Sequence, residues 1–193
     1  NGFIFYEDKN GGIKLPIPNV KGQFQLENIS TAIATLRSID QLKVDEKHIK
    51  DGVTKIKSIA RLQEIGSGKL KELVKNNKLL IDGSHNPLGA KVLNEYLESL
   101  NCNKHIIIGM MANKDHNEYM SCFKNIATIT TIDIPNQTNS IAGKDLKNKL
   151  NFFKNVSYKQ DVKEAIRSIS LKENDIVLIT GSLYLAGEVL NLN

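Results

Sequence analysis

The stretch Leu79-Leu80-Ile81-Asp82-Gly83-Ser84-His85-Asn86-Pro87 joins a short apolar segment to the start of a helical pattern. The apolar residues end at Asp82, and a turn containing Gly83 and His85 follows. Asn86 is a good helix cap, and Pro87 suits the first helical position. Residues 79–87 therefore predict a buried strand that passes directly into a helix. In open α/β sheets ligands bind at such junctions, because strand ends and helix N–H groups point into one crevice.

Asp82 and His85 are the titratable side chains of this junction, and two interpretations of them remain open. A carboxylate at a strand end can accept hydrogen bonds from ribose hydroxyls or hold an ammonium group. A histidine there can position a nucleophile or transfer a proton near neutral pH. In the structural interpretation, Asp82 only satisfies loop N–H groups and His85 is a solvated surface residue.

Strand and helix patterns alternate along most of the chain, which is typical of a sheet with helical crossovers. The apolar segments predict strands at 62–65, 70–74, 78–81, 105–109, 128–132, 156–158 and 175–180. Helical periodicity predicts helices at 88–100, 117–125, 143–150, 161–168 and 183–190. We therefore expect an α/β fold with a Rossmann-like, mostly parallel sheet flanked by helices.

The first part of the chain has a different pattern and predicts a separate region. Residues 1–20 read as a strand pair with a connector, because Asn-Gly-Gly at 10–12 is a turn signal. Apolar spacing predicts one helix from residue 25 onward and a second at 45–56, with a hinge at 58–60. We expect domains at 1–58 and 59–193.

Composition limits the classes of protein that the chain can represent. With 193 residues, 40% hydrophobic and 24% charged, it can form one ordinary domain, or one domain with part of another. The net charge is +5, but the lysines are spread along the chain and do not alternate with aromatic residues, which argues against a nucleic-acid-binding face. This charge suits anionic small molecules, although a lysine-rich solvated surface explains it almost as well. Because the first residue is Asn1, we expect a piece of a longer chain.

The cysteines and histidines point to neither disulfides nor a metal site. Cys102 and Cys122 make no disulfide framework, so we expect a reducing, cytoplasmic compartment. We expect no signal peptide and no membrane partner, since no apolar run approaches membrane-spanning length. His48, His105 and His116 lack metal-ligand spacing and are interpreted as structural or incidental. The sequence also has no GxxxxGK(S/T) phosphate loop.

Three further positions suit an anionic ligand. Lys114 lies in a charged loop after a predicted strand, where it could meet a phosphate or carboxylate, although an ordinary surface loop has the same spacing. Ser182 follows a glycine between a buried strand and a helix, which is an anion-binding geometry and also an ordinary N-cap. Arg61, at the predicted hinge, could bind phosphate in a fork or join domains by ion pairing.

Taken in order, these motifs resemble the C-terminal part of the dihydrofolate synthase and folylpolyglutamate synthase family, which is related to the Mur ligases. The resemblance covers nearly the whole chain, and the DGSHNP element is its most specific part. The matching segments are Gly22-Gln23-Phe24-Gln25-Leu26-Glu27-Asn28, Ala60-Arg61-Leu62-Gln63, Ile81-Asp82-Gly83-Ser84-His85-Asn86-Pro87, Gly109 with Asn113-Lys114-Asp115, and Gly181-Ser182-Leu183-Tyr184.

The resemblance implies an acid–amino-acid ligase that uses ATP to join a dihydropteroate or folate carboxylate to the amino group of L-glutamate through an acyl phosphate. It implies that Asn28, Arg61 and Asp82 contact the nucleotide. Arg61 would hold ATP phosphate across the gap between the domains. It also implies that Asp82 and His85 are the catalytic residues that orient the glutamate amine, and that His85, Ser182 and Lys114 bind substrate.

The resemblance further implies ATP and Mg²⁺ as cofactors, with the magnesium ligands in an upstream ATPase domain. That domain would belong to the same full-length chain or to a partner chain, and the present chain alone is expected to be inactive. Residues 1–58 then correspond to the tail of the ATPase domain, and residues 59–193 to a complete glutamate-binding domain.

One position departs from the family pattern, and two other functions stay open. Phe24 stands where the family usually has histidine, which puts one local contact in doubt. The first alternative is a non-catalytic product of a split or decayed gene, which binds glutamate or nucleotide without turnover. The second is a Mur-type peptidoglycan ligase domain, which adds other amino acids.

Overall fold

The structure is a computed structural model that describes residues 2–20 and 22–193. The chain divides into two compact units, Asn1–Ile59 and Ala60–Asn193. Neither unit contains, among the described residues, a helix that is both long enough and apolar enough to cross a lipid bilayer.

The first unit is a β-hairpin packed with two helices. Its elements are β1 (Phe3–Asp8), β2 (Gly11–Pro16), α1 (Gln23–Arg37) and α2 (Glu46–Thr54). Tyr6 pairs with Ile13 across the antiparallel hairpin, and the alternation of side chains turns both toward the helices. The buried core consists of Tyr6, Ile13, Leu15, Ile29, Ile33, Ile49 and Val53. The predicted strand pair and both predicted helices are therefore confirmed.

The second unit alternates strands and helices. Its strands are β3 (Gln63–Glu64), β4 (Lys78–Ile81), β5 (Lys104–Ile108), β6 (Ile126–Thr131), β7 (Val156–Tyr158) and β8 (Ile176–Thr180). Its helices are α3 (Lys69–Val74), α4 (Pro87–Glu98), α5 (His116–Ser121), α6 (Gly143–Lys149), α7 (Val162–Ser168) and α8 (Leu183–Leu192). Most bounds agree with the predicted ones within a few residues, but α5 ends at Ser121 instead of residue 125.

The strands of this unit form one sheet in the order β3-β4-β8-β5-β6-β7. β3 runs antiparallel to β4, and the other neighbouring strands in the described part of the sheet run parallel. β8 follows the other strands in the sequence but lies between β4 and β5, so that Ile81 pairs with Ile179 and Ile108 with Thr180. The predicted α/β fold with a mostly parallel sheet is confirmed.

Helices cover both faces of the sheet. The crossovers from β4 to β5 and from β7 to β8 run in opposite directions, so right-handed connections place α4 and α7 on opposite faces. α8 shares a buried core with α3 and α7, whereas α4 packs against α5. Ile106, Ile107 and Ile108 are completely buried, as expected of a strand covered on both sides.

The prediction of a strand at 70–74 is wrong, because these residues belong to α3. A strand would point Leu70, Glu72 and Val74 to the same side and bury a carboxylate with two apolar side chains. The helix instead brings Leu70, Leu73 and Val74 onto one face, since they lie three and four residues apart. Leu70 and Val74 are completely buried in this arrangement, and Glu72 is exposed.

Asp175 anchors the amino-terminal edge of the sheet. Its buried carboxylate accepts hydrogen bonds from Lys172 N at 2.7 Å, Asn103 Nδ2 at 2.9 Å and His105 Nε2 at 3.1 Å. Burial opposes ionisation, but the three hydrogen bonds and the nearby imidazole outweigh it and hold the pKa of Asp175 below its ordinary value. His105 Nδ1 lies 2.8 Å from Thr128 Oγ1, so this histidine links β5 to β6 and to the start of β8.

We expect Asp175→Asn to lower the free energy of unfolding at pH 7 by about 1.5–3 kcal/mol, because a charged acceptor is lost from a buried network. Because the folded-state pKa lies below the unfolded one, the carboxylate stabilises the fold above the unfolded pKa and loses this effect as the pH falls through the folded pKa. The difference in the free energy of unfolding between wild type and Asp175→Asn should therefore become smaller below about pH 4. Urea unfolding across this pH range measures it, and a constant difference would contradict the prediction.

Candidate active site

The carboxyl ends of β4 and β8 form a topological switch point, because α4 and α8 leave these neighbouring strands toward opposite faces. The turns after the two strands are joined by backbone hydrogen bonds. Asp82 N donates to Ile179 O at 3.0 Å, and Gly181 N donates to Ser84 O at 3.2 Å. Side chains from the DGSHNP segment and from the start of α8 are thereby placed at one edge of the sheet.

The Asp82 carboxylate is 4% exposed and binds two separate backbone segments. Its Oδ1 accepts a hydrogen bond from Ser84 N, and its Oδ2 accepts one from Leu62 N, both at 2.8 Å. This agrees with the structural interpretation of the sequence, in which Asp82 satisfies loop N–H groups. It also gives the residue a second effect, since Asp82 fixes the loop that contains Arg61.

The loop around Arg61 has an unusual backbone conformation. Ala60 has a φ of 53° and Leu62 a φ of 47°, in the left-handed region that side chains other than glycine rarely adopt. Burial and hydrogen bonds hold this conformation: both residues are buried, and Ala60 N donates to Gln63 Oε1 at 2.9 Å. Arg61 Nη1 reaches Ala60 O at 3.3 Å, and the other guanidinium donors have no partner among the described residues.

Gly83 allows three segments to meet at this edge. Its N–H donates to Ala60 O at 2.8 Å. A Cβ at position 83 would overlap the Leu183 side chain and come within 3.2 Å of Arg61 Nη1. The absence of a side chain here therefore lets the Arg61 loop and the first turn of α8 approach the DGSHNP segment.

His85 is half-buried, and its tautomer follows from its hydrogen bond. Nδ1 lies 3.0 Å from Gly83 O. A carbonyl oxygen only accepts, so Nδ1 carries the hydrogen and a neutral imidazole has its lone pair on Nε2. In the part of the chain that the structure describes, Nε2 has no partner. Asn86 Oδ1 caps α4 by accepting from Gly89 N at 2.8 Å, with Pro87 in the first turn, as the sequence predicts.

Ser182 is the N-cap of α8 and is almost completely buried. Its Oγ accepts a hydrogen bond from Tyr184 N at 3.1 Å, which leaves its own hydroxyl hydrogen available to an acceptor. The preceding Gly181 has a φ of 102° and lies against Gly109 O at the end of β5. The two interpretations of Ser182, cap and ligand contact, are compatible in this geometry.

A cluster of three hydroxyl groups lies behind the DGSHNP segment, and sequence reasoning missed it. Tyr119 OH is 2.8 Å from Thr180 Oγ1 and 3.0 Å from Ser84 Oγ. Burial raises the pKa of the Tyr119 phenol well above its ordinary value, so it remains a neutral hydroxyl. No sequence signal marks Tyr119, because its spacing in α5 is that of any buried helical residue.

Lys114 and Asn28 are the two remaining positions that the resemblance assigns to ligands. Lys114 lies in the loop after β5, where its backbone N donates to Met111 O at 3.3 Å. His116 Nε2 donates to the same carbonyl at 3.0 Å and so stabilises the loop. Asn28 is an exposed residue of α1 in the first unit, and its Nδ2 lies 3.5 Å from Gln25 Oε1.

Among residues 2–20 and 22–193, no set of three or more His, Cys, Asp or Glu side chains is arranged to hold a metal ion. Cys102 and Cys122 are both free thiols.

Comparison with known proteins identifies the family. Residues 68–183 match the family described as Mur ligase, glutamate ligase domain. The chain therefore belongs to the Mur ligase family. The family members that it matches are acid–amino-acid ligases.

The relatives are dihydrofolate synthases and folylpolyglutamate synthases, as the motifs indicated. The chain is 30% identical over 130 residues to the dihydrofolate synthase/folylpolyglutamate synthase of Bacillus subtilis, a match that covers 63% of this chain and 29% of the relative. The structure of E. coli FolC in complex with DHPP and ADP aligns with a TM-score of 0.78 and 25% identity, over 96% of this chain and 42% of that one. The folylpolyglutamate synthase of Thermotoga maritima aligns with a TM-score of 0.72 and 26% identity, over 94% of this chain and 41% of that one. The chain thus spans less than half the length of these relatives.

Gly181→Ala should lower the free energy of unfolding by about 2 kcal/mol or more, because strain and a steric clash add. The φ of 102° is unfavourable for alanine, and the new Cβ would lie 2.7 Å from Gly109 O. Gly187→Ala in α8 is the matched control, since a Cβ there meets nothing and alanine favours a helix by up to about 1 kcal/mol. Urea unfolding compares the two variants, and equal effects would contradict the assigned role of Gly181.

Asp82→Ala should destabilise the protein by about 1–3 kcal/mol, because Leu62 N and Ser84 N lose their acceptor in a buried environment. The loss should be local, so amide hydrogen exchange at Leu62 should accelerate more than exchange at Ile179. The exposed Asp40→Ala is the control and should change stability by no more than about 0.5 kcal/mol. Unchanged exchange at Leu62 would show that Asp82 does not hold this loop.

Proposed function

We propose that this chain supplies the glutamate- and nucleotide-facing part of an ATP-dependent ligase that joins L-glutamate to dihydropteroate, to folate polyglutamates, or to both. One observation supports this most directly. In a member of an acid–amino-acid ligase family, the switch point between β4 and β8 brings together a guanidinium, an imidazole and a buried carboxylate, and within residues 2–20 and 22–193 most guanidinium donors and the imidazole Nε2 have no partner.

The proposed reaction has two steps. A carboxylate oxygen of the pteroate or folate substrate attacks the γ-phosphorus of ATP, the bond to the bridging oxygen breaks, and ADP leaves. The amine nitrogen of glutamate then attacks the acyl carbon of the acyl phosphate, phosphate leaves with the bond electrons, and the nitrogen loses a proton. The protein must therefore bind phosphate groups, hold a neutral amine near the acyl carbon and accept a proton.

Arg61 is proposed to hold ATP phosphate. A guanidinium presents several donors in a planar fork that matches phosphate oxygens, and here only Nη1 has a partner within the described residues. The buried neighbours Ala60 and Leu62 fix the backbone on both sides of Arg61. Binding a ligand therefore costs this residue less conformational entropy. The ADP bound by E. coli FolC supports a nucleotide in this family. Asn28 stays a proposed nucleotide contact on resemblance alone.

His85 is proposed to orient the glutamate amine. Its Nε2 has no partner in the described part of the chain, so a neutral imidazole can accept a hydrogen bond from the attacking amine and then its proton. Asp82 is proposed to act in two ways: it holds the Arg61 loop in place, and it helps to orient the amino group of the incoming glutamate, which attacks in its neutral form. Ser182, through its free hydroxyl hydrogen, and Lys114, through its ammonium, are proposed to bind the carboxylates of glutamate.

Mg²⁺ is expected for a reaction of ATP, but the described residues do not offer a site that fits it. We assign no residue of this chain to the metal. The proposal instead includes an ATPase domain, in the same polypeptide or as a partner chain, that provides the metal ligands and the phosphate loop. That the chain spans less than half of its relatives supports this part of the proposal.

The test joins the chain to an ATPase domain from the family and measures glutamate-dependent ADP release. His85→Ala should lower kcat by about 100-fold, because proton transfer by a positioned group typically contributes that much or more. Arg61→Ala should lower kcat/KM for ATP by about 100-fold or more, since a charged donor to the transferred phosphoryl group is lost.

Exposed residues of the same types are the controls for these variants. His48→Ala and Arg167→Ala should leave the rate unchanged, because both side chains are exposed and neither belongs to the segments that form the switch point. If His85→Ala and Arg61→Ala also leave the rate unchanged, the role assignments are wrong. Competition between glutamate and other amino acids separates the folate-type ligase from a peptidoglycan ligase, because the latter would prefer another amino acid.

A further inference from the structure

The cluster formed by the hydroxyls of Ser84, Tyr119 and Thr180 is the feature of this edge that the proposed function does not use. The three groups come from distant parts of the sequence: the DGSHNP segment, α5 and the end of β8. Tyr119 and Thr180 are almost completely buried, and Ser84 is half-buried. The cluster therefore runs from the interior to the residue directly before His85.

Packing alone does not require a hydroxyl at position 119. The Tyr119 ring already packs edge-on against Phe123, with ring centroids 5.4 Å apart, and a phenylalanine would keep that contact. Burying a phenol costs free energy unless its hydroxyl is hydrogen-bonded. Here it lies within hydrogen-bonding distance of two hydroxyls, Thr180 Oγ1 at 2.8 Å and Ser84 Oγ at 3.0 Å. The hydroxyl thus serves to connect these groups.

Ser84 is held at every polar atom. Its N donates to Asp82 Oδ1 at 2.8 Å, its O accepts from Gly181 N at 3.2 Å, and its Oγ meets Tyr119 OH. The backbone bonds fix the position of the residue, and the side-chain bond fixes its rotation relative to the sheet. Since His85 follows directly, the direction in which its side chain leaves the backbone depends on Ser84.

We propose that the Ser84–Tyr119–Thr180 cluster is a positioning unit that holds His85 in the Nδ1–H tautomer, with Nε2 available as an acceptor. The Nδ1–H tautomer is the less favoured form of a free neutral histidine, so the protein must stabilise it. The stabilising contact is the 3.0 Å hydrogen bond to Gly83 O, which exists only while the turn keeps its shape. The catalytic consequence rests on the proposed function, but the tautomer does not.

The first experiment measures the tautomer of His85 in this chain by long-range ¹H–¹⁵N correlation after labelling with ¹⁵N-histidine, at a pH where the ring is neutral. Wild type should show the Nδ1–H form. Tyr119→Phe and Ser84→Ala should each shift the population toward Nε2–H. The double variant should match Ser84→Ala, because Tyr119 acts through Ser84 Oγ, and Tyr119→Phe leaves that oxygen only its longer contact of 3.5 Å with Thr180 Oγ1. Tyr158→Phe is the control, since it removes a phenol hydroxyl bonded to Asp133 at 2.6 Å in a separate cluster.

The outcomes separate the possibilities. If both single variants keep the Nδ1–H form, the positioning role is wrong. If the two effects add in the double variant, Tyr119 does not act through Ser84, which also overturns the proposal. Should Tyr119→Phe fail to fold, Ser84→Ala decides alone, because Ser84 is half-buried and its side chain is small.

The second experiment uses the chain joined to the ATPase domain. Tyr119→Phe should lower kcat/KM for glutamate by about tenfold, the scale of one hydrogen bond, without changing KM for ATP. A general loss of structure would change both parameters. If no variant and no wild-type protein forms product while the tautomer shifts as expected, the proposed function fails and the positioning role stands. If the wild-type ligase forms product but the His85 tautomer does not change in the variants, the proposed function stands and the positioning role is wrong.

Discussion

The buried carboxylate of Asp82 is the interaction on which the candidate site depends. Burying a polar side chain costs free energy unless its oxygens are hydrogen-bonded, and each carboxyl oxygen of Asp82 accepts a hydrogen bond from a backbone N–H of a different segment. One of these segments includes Ala60 and Leu62, whose left-handed backbones are held by burial and hydrogen bonds. The hydrogen bond from Leu62 N to Asp82 Oδ2 therefore helps to set the conformation of the loop and, with it, the location of Arg61.

Much of the fold could be predicted because local chemistry and tertiary structure agree. Residues 106–108 of β5 and 176–179 of β8 are continuous apolar runs, which is typical of strands buried on both faces. Asn86 and Ser182 are cap residues at helix starts, and both cap in the structure. The strand ends that precede these caps could be located from the sequence, so the edge that contains Asp82 and His85 could be located as well.

The parts that could not be predicted depend on contacts between distant residues. The helical state of residues 70–74 follows from which side chains meet the core, which a five-residue pattern leaves ambiguous. Tyr119 and Thr180 are 61 positions apart, and nothing near either residue signals their hydrogen bond. The orientation of Arg61 is equally nonlocal, because it follows from the bond between Leu62 and Asp82.

The place of β8 in the sheet has a consequence for folding. Every other described strand of this sheet precedes β8 in the sequence, yet β8 separates β4 from β5. During synthesis β4 and β5 leave the ribosome before β8. The strand edges that β4 and β5 later pair with β8 therefore remain unpaired until β8 has been made. The DGSHNP segment cannot be joined to Gly181 before that strand arrives. The edge that contains the proposed ligand site is thus complete only in chains whose sheet is complete, and a nascent chain that lacks β8 does not yet have it.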